Sequence, residues 1–166
     1  MPRIKLITSV NAPIERCFDL ARSVDLHKIS MHHSREEIAD GIESGLMNLH
    51  DTVTWKGTHF GIRFTLQSAI TRFSRPFSFT DEMVRGPFKT MVHDHYFYRA
   101  GSSTTMVDDF YFQSPWGLPG QLADALILKT YLSRLLAQRN AIIKQHAESD
   151  GWKQVLQQAS AQNTQG

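Results

Sequence analysis

Between Pro76 and Pro115 the chain reads PFSFTDEMVRGPFKTMVHDHYFYRAGSSTTMVDDFYFQSP, three runs of alternating side chains with turn signals between them. Residues two apart on a strand share a face. One face therefore collects Phe77, Phe79, Asp81 and Met83, then Met91, His93, His95 and Phe97, then Met106, Asp108, Phe110 and Phe112. Such a face suits neither water nor a dry core. Asp and His cost free energy to bury without partners, and a row of aromatic and Met side chains is wasteful to expose. A cavity that is mostly apolar, with a few polar fixtures, satisfies both constraints.

The same periodicities predict the remaining elements. Ile4, Leu6 and Val10 alternate along a first strand over residues 3–10. Asn11-Ala12-Pro13 offers a helix start, with Asn11 or Ala12 near the cap and Pro13 in the first turn. Ile14, Cys17, Phe18 and Ala21 then fall at helical spacing, and Ser23 caps a second short helix through Leu26 and Ile29. A short strand is predicted around Ile38, and Gly41 and Gly45 mark a turn region. Val53, Trp55 and Gly57 alternate with Thr52, Thr54 and Lys56. His59-Phe60-Gly61 reads as a turn into a strand over 61–72, where Ile62, Phe64, Leu66, Ser68 and Ile70 share a side. Gly86-Pro87 and Ala100-Gly101-Ser102-Ser103 are hairpin connections. After Pro115-Trp116-Gly117-Leu118-Pro119-Gly120 the pattern turns helical to about His146, roughly 26 residues or ~40 Å at 1.5 Å per residue. Ala125, Leu128, Leu132, Leu135, Leu136, Ile142 and Ile143 form its apolar face, and Asp124, Ser133, Gln138 and Asn140 the opposite one.

Composition narrows the class. The 166 residues suit one domain, residues 1–147, followed by a polar tail or helix extension over 148–166. A net charge of +2, with Lys and Arg scattered, argues against a nucleic-acid partner. One cysteine, Cys17, excludes an internal disulfide and reads as a buried, inert thiol. MPRIKLITSV lacks the apolar core of a secretion signal, and no stretch is long and apolar enough to span a membrane. The expectation is a cytoplasmic protein without integral membrane association; nothing in the sequence sets its oligomeric state.

The element order is one strand, two short helices, further strands to a total of six or seven, and one long helix. An antiparallel sheet must bury one face, and the terminal helix is the only element large enough to cover it. The opening strand with NAPIERCFDLA, the run VTWKGTHFG, the segment RPFSFTDEMVRGPFKTMVHDHYF, and TTMVDDFYFQSPWGLPG before the long helix together resemble the START or SRPBCC superfamily. The resemblance covers about residues 3–147 and is nearest to its uncharacterised bacterial cyclase/dehydrase-like branch. It implies an α+β helix-grip fold, in which a curved antiparallel sheet wraps a long C-terminal helix around a hydrophobic ligand tunnel. That fold hosts carriers, enzymes and regulators alike.

The expected cavity wall comprises Trp55, Phe64, Phe79, Phe97, Phe110 and Phe112, with Met83, Met91 and Met106 on the sheet and Leu128 and Leu132 on the helix. Asp81, His93, His95 and Asp108 are its polar fixtures, and an Asp–His pair can make an imidazole a general base. His93, His95 and Asp108 are therefore also the catalytic candidates. Arg139, on the apolar helix face, needs a carboxylate: an edge acid such as Glu36 or Glu37, or an anionic ligand group. Trp116 reads as a gate or a plug at the cavity mouth. His93-x-His95 with Asp108 and a third histidine (His59, His32 or His33) has metal-ligand chemistry, but nothing fixes the spacing, so no metal and no cofactor is expected. The leading function is binding a small hydrophobic molecule (a lipid, isoprenoid or aromatic polyketide-like compound) for carriage or sequestration. The alternatives are a cyclase- or dehydratase-type enzyme using a cavity histidine and a partner-protein interaction module.

Overall fold

A computed structural model describes residues 2–32, 36–114 and 127–162. β1 (Arg3–Val10) leads into helices α1 (Ile14–Ala21) and α2 (Val24–Ser30). Six strands follow: β2 (Glu37–Gly41), β3 (Thr52–His59), β4 (Ile62–Ser74), β5 (Ser78–Arg85), β6 (Thr90–Ala100) and β7 (Ser103–Gln113). Helices α3 (Lys129–Glu148) and α4 (Gly151–Gln162) complete the described chain. The seven strands form one antiparallel sheet in the order β1-β7-β6-β5-β4-β3-β2. β1 and β2 sit at opposite edges, and the two short helices carry the chain from one edge to the other.

Turn chemistry fixes the registers. Phe60 (φ 53°) and Gly61 (φ 73°) make a two-residue hairpin in which both residues have positive φ, pairing His59 with Ile62. Gly101 (φ 64°) helps close the turn that pairs Ala100 with Ser103. Ser23 caps α2 by accepting from the Leu26 N–H at 3.2 Å. The cap of α1 is Pro13, one residue after Ala12, the later of the two cap positions expected from the sequence.

α1 fills one part of the sheet's concave face. Phe18 is fully buried and meets Phe73, Phe79 and Phe97 edge-on, with ring centroids 5.3–5.4 Å apart. This packing takes Phe97, and Met106 opposite it in register, into solid core. α3 crosses the sheet beside α1, fastened where Arg16 donates to the Ala147 carbonyl at 2.9 Å and Lys144 to the Ser9 carbonyl at 2.6 Å. The residues after 147, read from sequence as a polar tail or extension, include a separate helix. α4 buries Val155 and Ala159, and Trp152 lies under the Arg16 guanidinium at 4.3 Å. Ala125 and Asp124, assigned to the long helix from sequence, and the Trp116 loop lie outside the described residues.

Only Asn140, Ile143 and Ala147 are buried along α3. In its N-terminal half Leu132, Leu135 and Leu136 keep accessible surface although they face the sheet, because there the helix borders open space. No helix among the described residues is long and apolar enough to cross a membrane.

Candidate functional site

That space is a cavity of about 520 Å³, within the usual range for small-molecule sites. Its wall is mainly apolar. β3 and β4 contribute Val53, Trp55, Phe64, Leu66 and Ile70, strands β5, β6 and β7 contribute Phe79, Met91 and Phe110, and α3 follows on from Leu128 with Leu132 and Leu136. Four polar side chains expected from the sequence also border it: Asp81, His93, His95 and Arg139.

Five residues expected on the wall are placed elsewhere. Phe97 and Met106 pack under α1, as described. Phe112 is fully buried against Phe110 and Phe88. Met83 turns over Gly86, where its Sδ lies 2.7 Å from the position a Cβ would take. Asp108 lies behind the histidines rather than on the cavity surface. Phe77, counted with the same face, precedes β5 and is 54% exposed.

Register brings the polar group together. Asp81 pairs with His93, His93 with Phe110, and His95 with both Phe79 and Asp108. Directly opposed residues share a face, so four ionisable groups from three strands converge. The Asp108 carboxylate, 2% exposed, accepts from His93 Nε2 at 2.8 Å, His95 Nδ1 at 3.1 Å and Asn140 Nδ2 at 2.6 Å. Because a carboxylate only accepts, these contacts fix the tautomers: Nε2–H on His93 and Nδ1–H on His95. Burial alone would push the Asp108 carboxyl up. The hydrogen bonds from His93 and His95 outweigh it and hold the group well below the usual carboxylate range. Burial, reinforced by the neighbouring His93, drives the His95 pKa down to about 3, so this ring is neutral. It stacks on Phe79 at 4.2 Å and against His93 at 3.7 Å.

Asn140 escaped the sequence reading, which placed it on the polar side of the helix. It is 2% exposed and reaches both Asp108 and Thr8 Oγ1. Its spacing with Leu136, Ile143 and Ala147 at i−4, i+3 and i+7 was the available signal. Arg139 does not reach Glu36 or Glu37. Its Nη2 donates to the Ala21 carbonyl at 2.5 Å, and its Nη1 lies 3.9 Å from Asp108 Oδ1. Glu37 instead pairs with Arg63.

Two residues of the cavity wall each hold a buried polar atom with no hydrogen-bond partner among the described residues: Asp81 Oδ1 and Arg139 Nη1. Asp81 retains some accessible surface as part of the wall. The protein nevertheless encloses it enough that burial pushes its carboxyl up, against the pull of His93 and a hydrogen bond with Ser68. Orphaned buried groups cost about 1–3 kcal/mol each, so both atoms are set to gain from a bound polar group.

A second polar group on the wall combines residues the sequence left scattered. His27 Nε2 donates to Glu36 Oε2 at 3.0 Å, and His59 Nε2 lies 3.5 Å from Glu36 Oε1. Tyr131, from the first turn of α3, meets His59 Nδ1 at 2.8 Å. The first turn of α3 and the β3–β4 hairpin make this contact only in the folded chain.

His93, His95 and Asp108 hold ligand-type atoms within 4.8 Å of one another, the donor set of a metal site. Here Asp108 Oδ1 already serves both histidines, and the Arg139 cation stands 3.9 Å away. This arrangement fits a closed hydrogen-bond hub better than a bound cation.

The sequence matches no family model and no curated protein. Solved structures do match. A protein from Thermus thermophilus superposes with a TM-score of 0.67 at 15% identity, covering 86% of this chain and 97% of that one. A ginseng (Panax ginseng) major latex-like protein gives 0.62 at 15% identity, over 89% and 98%. A START superfamily protein from Mycobacterium smegmatis gives 0.62 at 12% identity, over 88% and 97%. The architecture is therefore the START/SRPBCC helix-grip fold, with a seven-stranded curved sheet gripping a long C-terminal helix.

Proposed function

We propose that this protein binds one small, mainly apolar molecule between the sheet and α3, for carriage or sequestration. The carrying observation is an apolar cavity whose wall includes Arg139 and Asp81, each with a buried polar atom, Nη1 and Oδ1, that has no partner among the described residues. Burial of apolar ligand surface supplies the affinity, about 25 cal/mol per Å². The two orphans orient a polar substituent; a hydroxyl serves both, accepting from Arg139 and donating to Asp81. Lipid, isoprenoid and aromatic polyketide-like compounds all fit this description.

Native mass spectrometry of freshly purified protein, followed by solvent extraction, tests it. The expected result is an adduct of a few hundred daltons that Asp81→Ala and Arg139→Met weaken. An apo mass that stays unchanged on incubation with apolar hydroxylated compounds overturns the reading.

A second reading, acid–base catalysis, draws on the 2.8 Å contact between His93 and Asp108 on a ring that borders the cavity. His93→Gln separates the two: a carrier keeps its bound molecule, whereas an enzyme binds it and stops turning it over.

A further inference from the structure

The cavity has polar groups at two places, and the ligand-binding reading above uses one. We propose that the bound molecule is bipolar: a rigid apolar body carrying a hydroxyl at each end, one held by Asp81 and Arg139 and the other by Tyr131. This inference rests on the proposed binding function and deepens it.

The second anchor is built rather than incidental. Glu36 only accepts as a carboxylate, so His27 presents Nε2–H to it, and its charge 3.5 Å from His59 Nε2 favours the proton on that nitrogen too. The Nδ1 of His59 is then left as an acceptor, and the Tyr131 hydroxyl donates to it at 2.8 Å. The phenol's proton is thereby committed, and its oxygen lone pairs remain to accept. Phe60 at 4.4 Å and His59 at 5.8 Å pack on the Tyr131 ring and hold it in place, while His27 lies over Trp55 at 4.2 Å. All of these residues border the cavity. Burial, together with the nearby Glu36, pushes the Tyr131 phenol up, so it stays protonated across the neutral range.

The two anchors differ in what they require. Tyr131 offers an acceptor and asks for a donor. Arg139 offers a donor on the same wall as the Asp81 carboxyl, and together they ask for a group that accepts and can also donate. A hydroxyl meets either demand; a hydrocarbon tail meets only the wall. Tyr131 and Arg139 stand eight residues apart on α3, or about 12 Å along its axis. Leu132, Leu135 and Leu136 fill the interval with apolar surface. A fatty acid, with one head and a plain tail, would leave one anchor unmet.

The test uses a rigid series: stilbene, 4-hydroxystilbene and 4,4′-dihydroxystilbene, whose second hydroxyl adds no torsional freedom and whose length suits the spacing. Affinities are read by calorimetry or by ligand fluorescence. The diol should bind about tenfold tighter than the mono-phenol, the size of one net hydrogen bond. Tyr131→Phe removes only the hydroxyl and should bring the diol's affinity down to that of the mono-phenol, whereas His59→Gln frees the phenol to turn and should reduce the diol's advantage by less. Equal binding of diol and mono-phenol by the wild type, or a diol advantage that survives Tyr131→Phe, overturns the bipolar ligand and leaves the cavity reading standing. Failure of all three compounds to bind overturns both.

Discussion

The neutral, buried His95 makes a quantitative prediction about acid stability. In the unfolded chain a histidine titrates near 6.5, whereas His95 in the folded protein does so at about 3. Since the folded pKa is depressed, the unfolded state binds the proton first. Stability is therefore lost as pH falls below 6.5, and the loss continues until about pH 3. Each unit costs about 1.4 kcal/mol, so lowering the pH two units below 6.5 removes roughly 3 kcal/mol through this one ring. Asp108 does not confuse the window. Its folded carboxyl titrates well below its ordinary 3.8, so its contribution is lost only under more acidic conditions. The perturbation is His95→Asn, whose amide N–H takes the place of Nδ1–H toward Asp108 and cannot be protonated in this range. Urea unfolding followed at several pH values between 7 and 4.5 gives the slope for each protein. Asp81 is present in both, so the upward shift of its carboxyl cancels to first order. The wild type should lose about 3 kcal/mol more than the variant across the window. Identical pH slopes would refute a neutral, enclosed His95.

Three further expectations follow from the packing. Asp108→Asn, which leaves Arg139 without its nearby carboxylate and sets an NH₂ against donors, should destabilise by about 3–5 kcal/mol in urea unfolding; a loss below about 1 kcal/mol would mean that the carboxylate does not hold the hub together. Phe18→Ala, at a fully buried ring touching three other phenylalanines, should cost about 3–5 kcal/mol by the same measurement, and a near-neutral effect would show that α1 is not packed there. Gly41→Ala should lower the melting temperature, since φ is +91° and the added Cβ would lie 2.3 Å from the Thr52 carbonyl oxygen; an unchanged melting temperature would place the β2–β3 edge differently.

Much of the fold is legible in local pattern. Strand alternation over residues 76–113, the His59–Phe60–Gly61 turn, the Ser23 cap and the apolar stripe of the long helix all reflect periods of 2 or 3.6, which the backbone imposes on any sequence. The same alternation puts Asp81, His93, His95 and Asp108 on one face, because register slips would expose the aromatic residues between them. Local pattern does not say how that face is shared out. Whether a concave position meets α1, the hub or open space depends on helices from distant parts of the chain. Thus Phe97 and Met106 became core, Asp108 withdrew behind the histidines, and His93 stayed on the wall.

Polar partners were the least legible. Asn140 looked like a surface residue because amides usually are, but α3 turns it toward Asp108, contributed by a strand 32 residues earlier. The Glu36, His27, His59 and Tyr131 group spans four elements or connections, with 72 residues between His59 and Tyr131. Hydrogen bonds need matched distance and direction, which sequence spacing encodes only within a helix turn or a hairpin. Local periodicity sets the sheet, the gripping helix and a greasy face with ionisable residues in it. Tertiary structure decided where the sheet and helix part to leave a cavity, and which two polar groups stand on its wall, because both depend on close packing between segments that no local period relates.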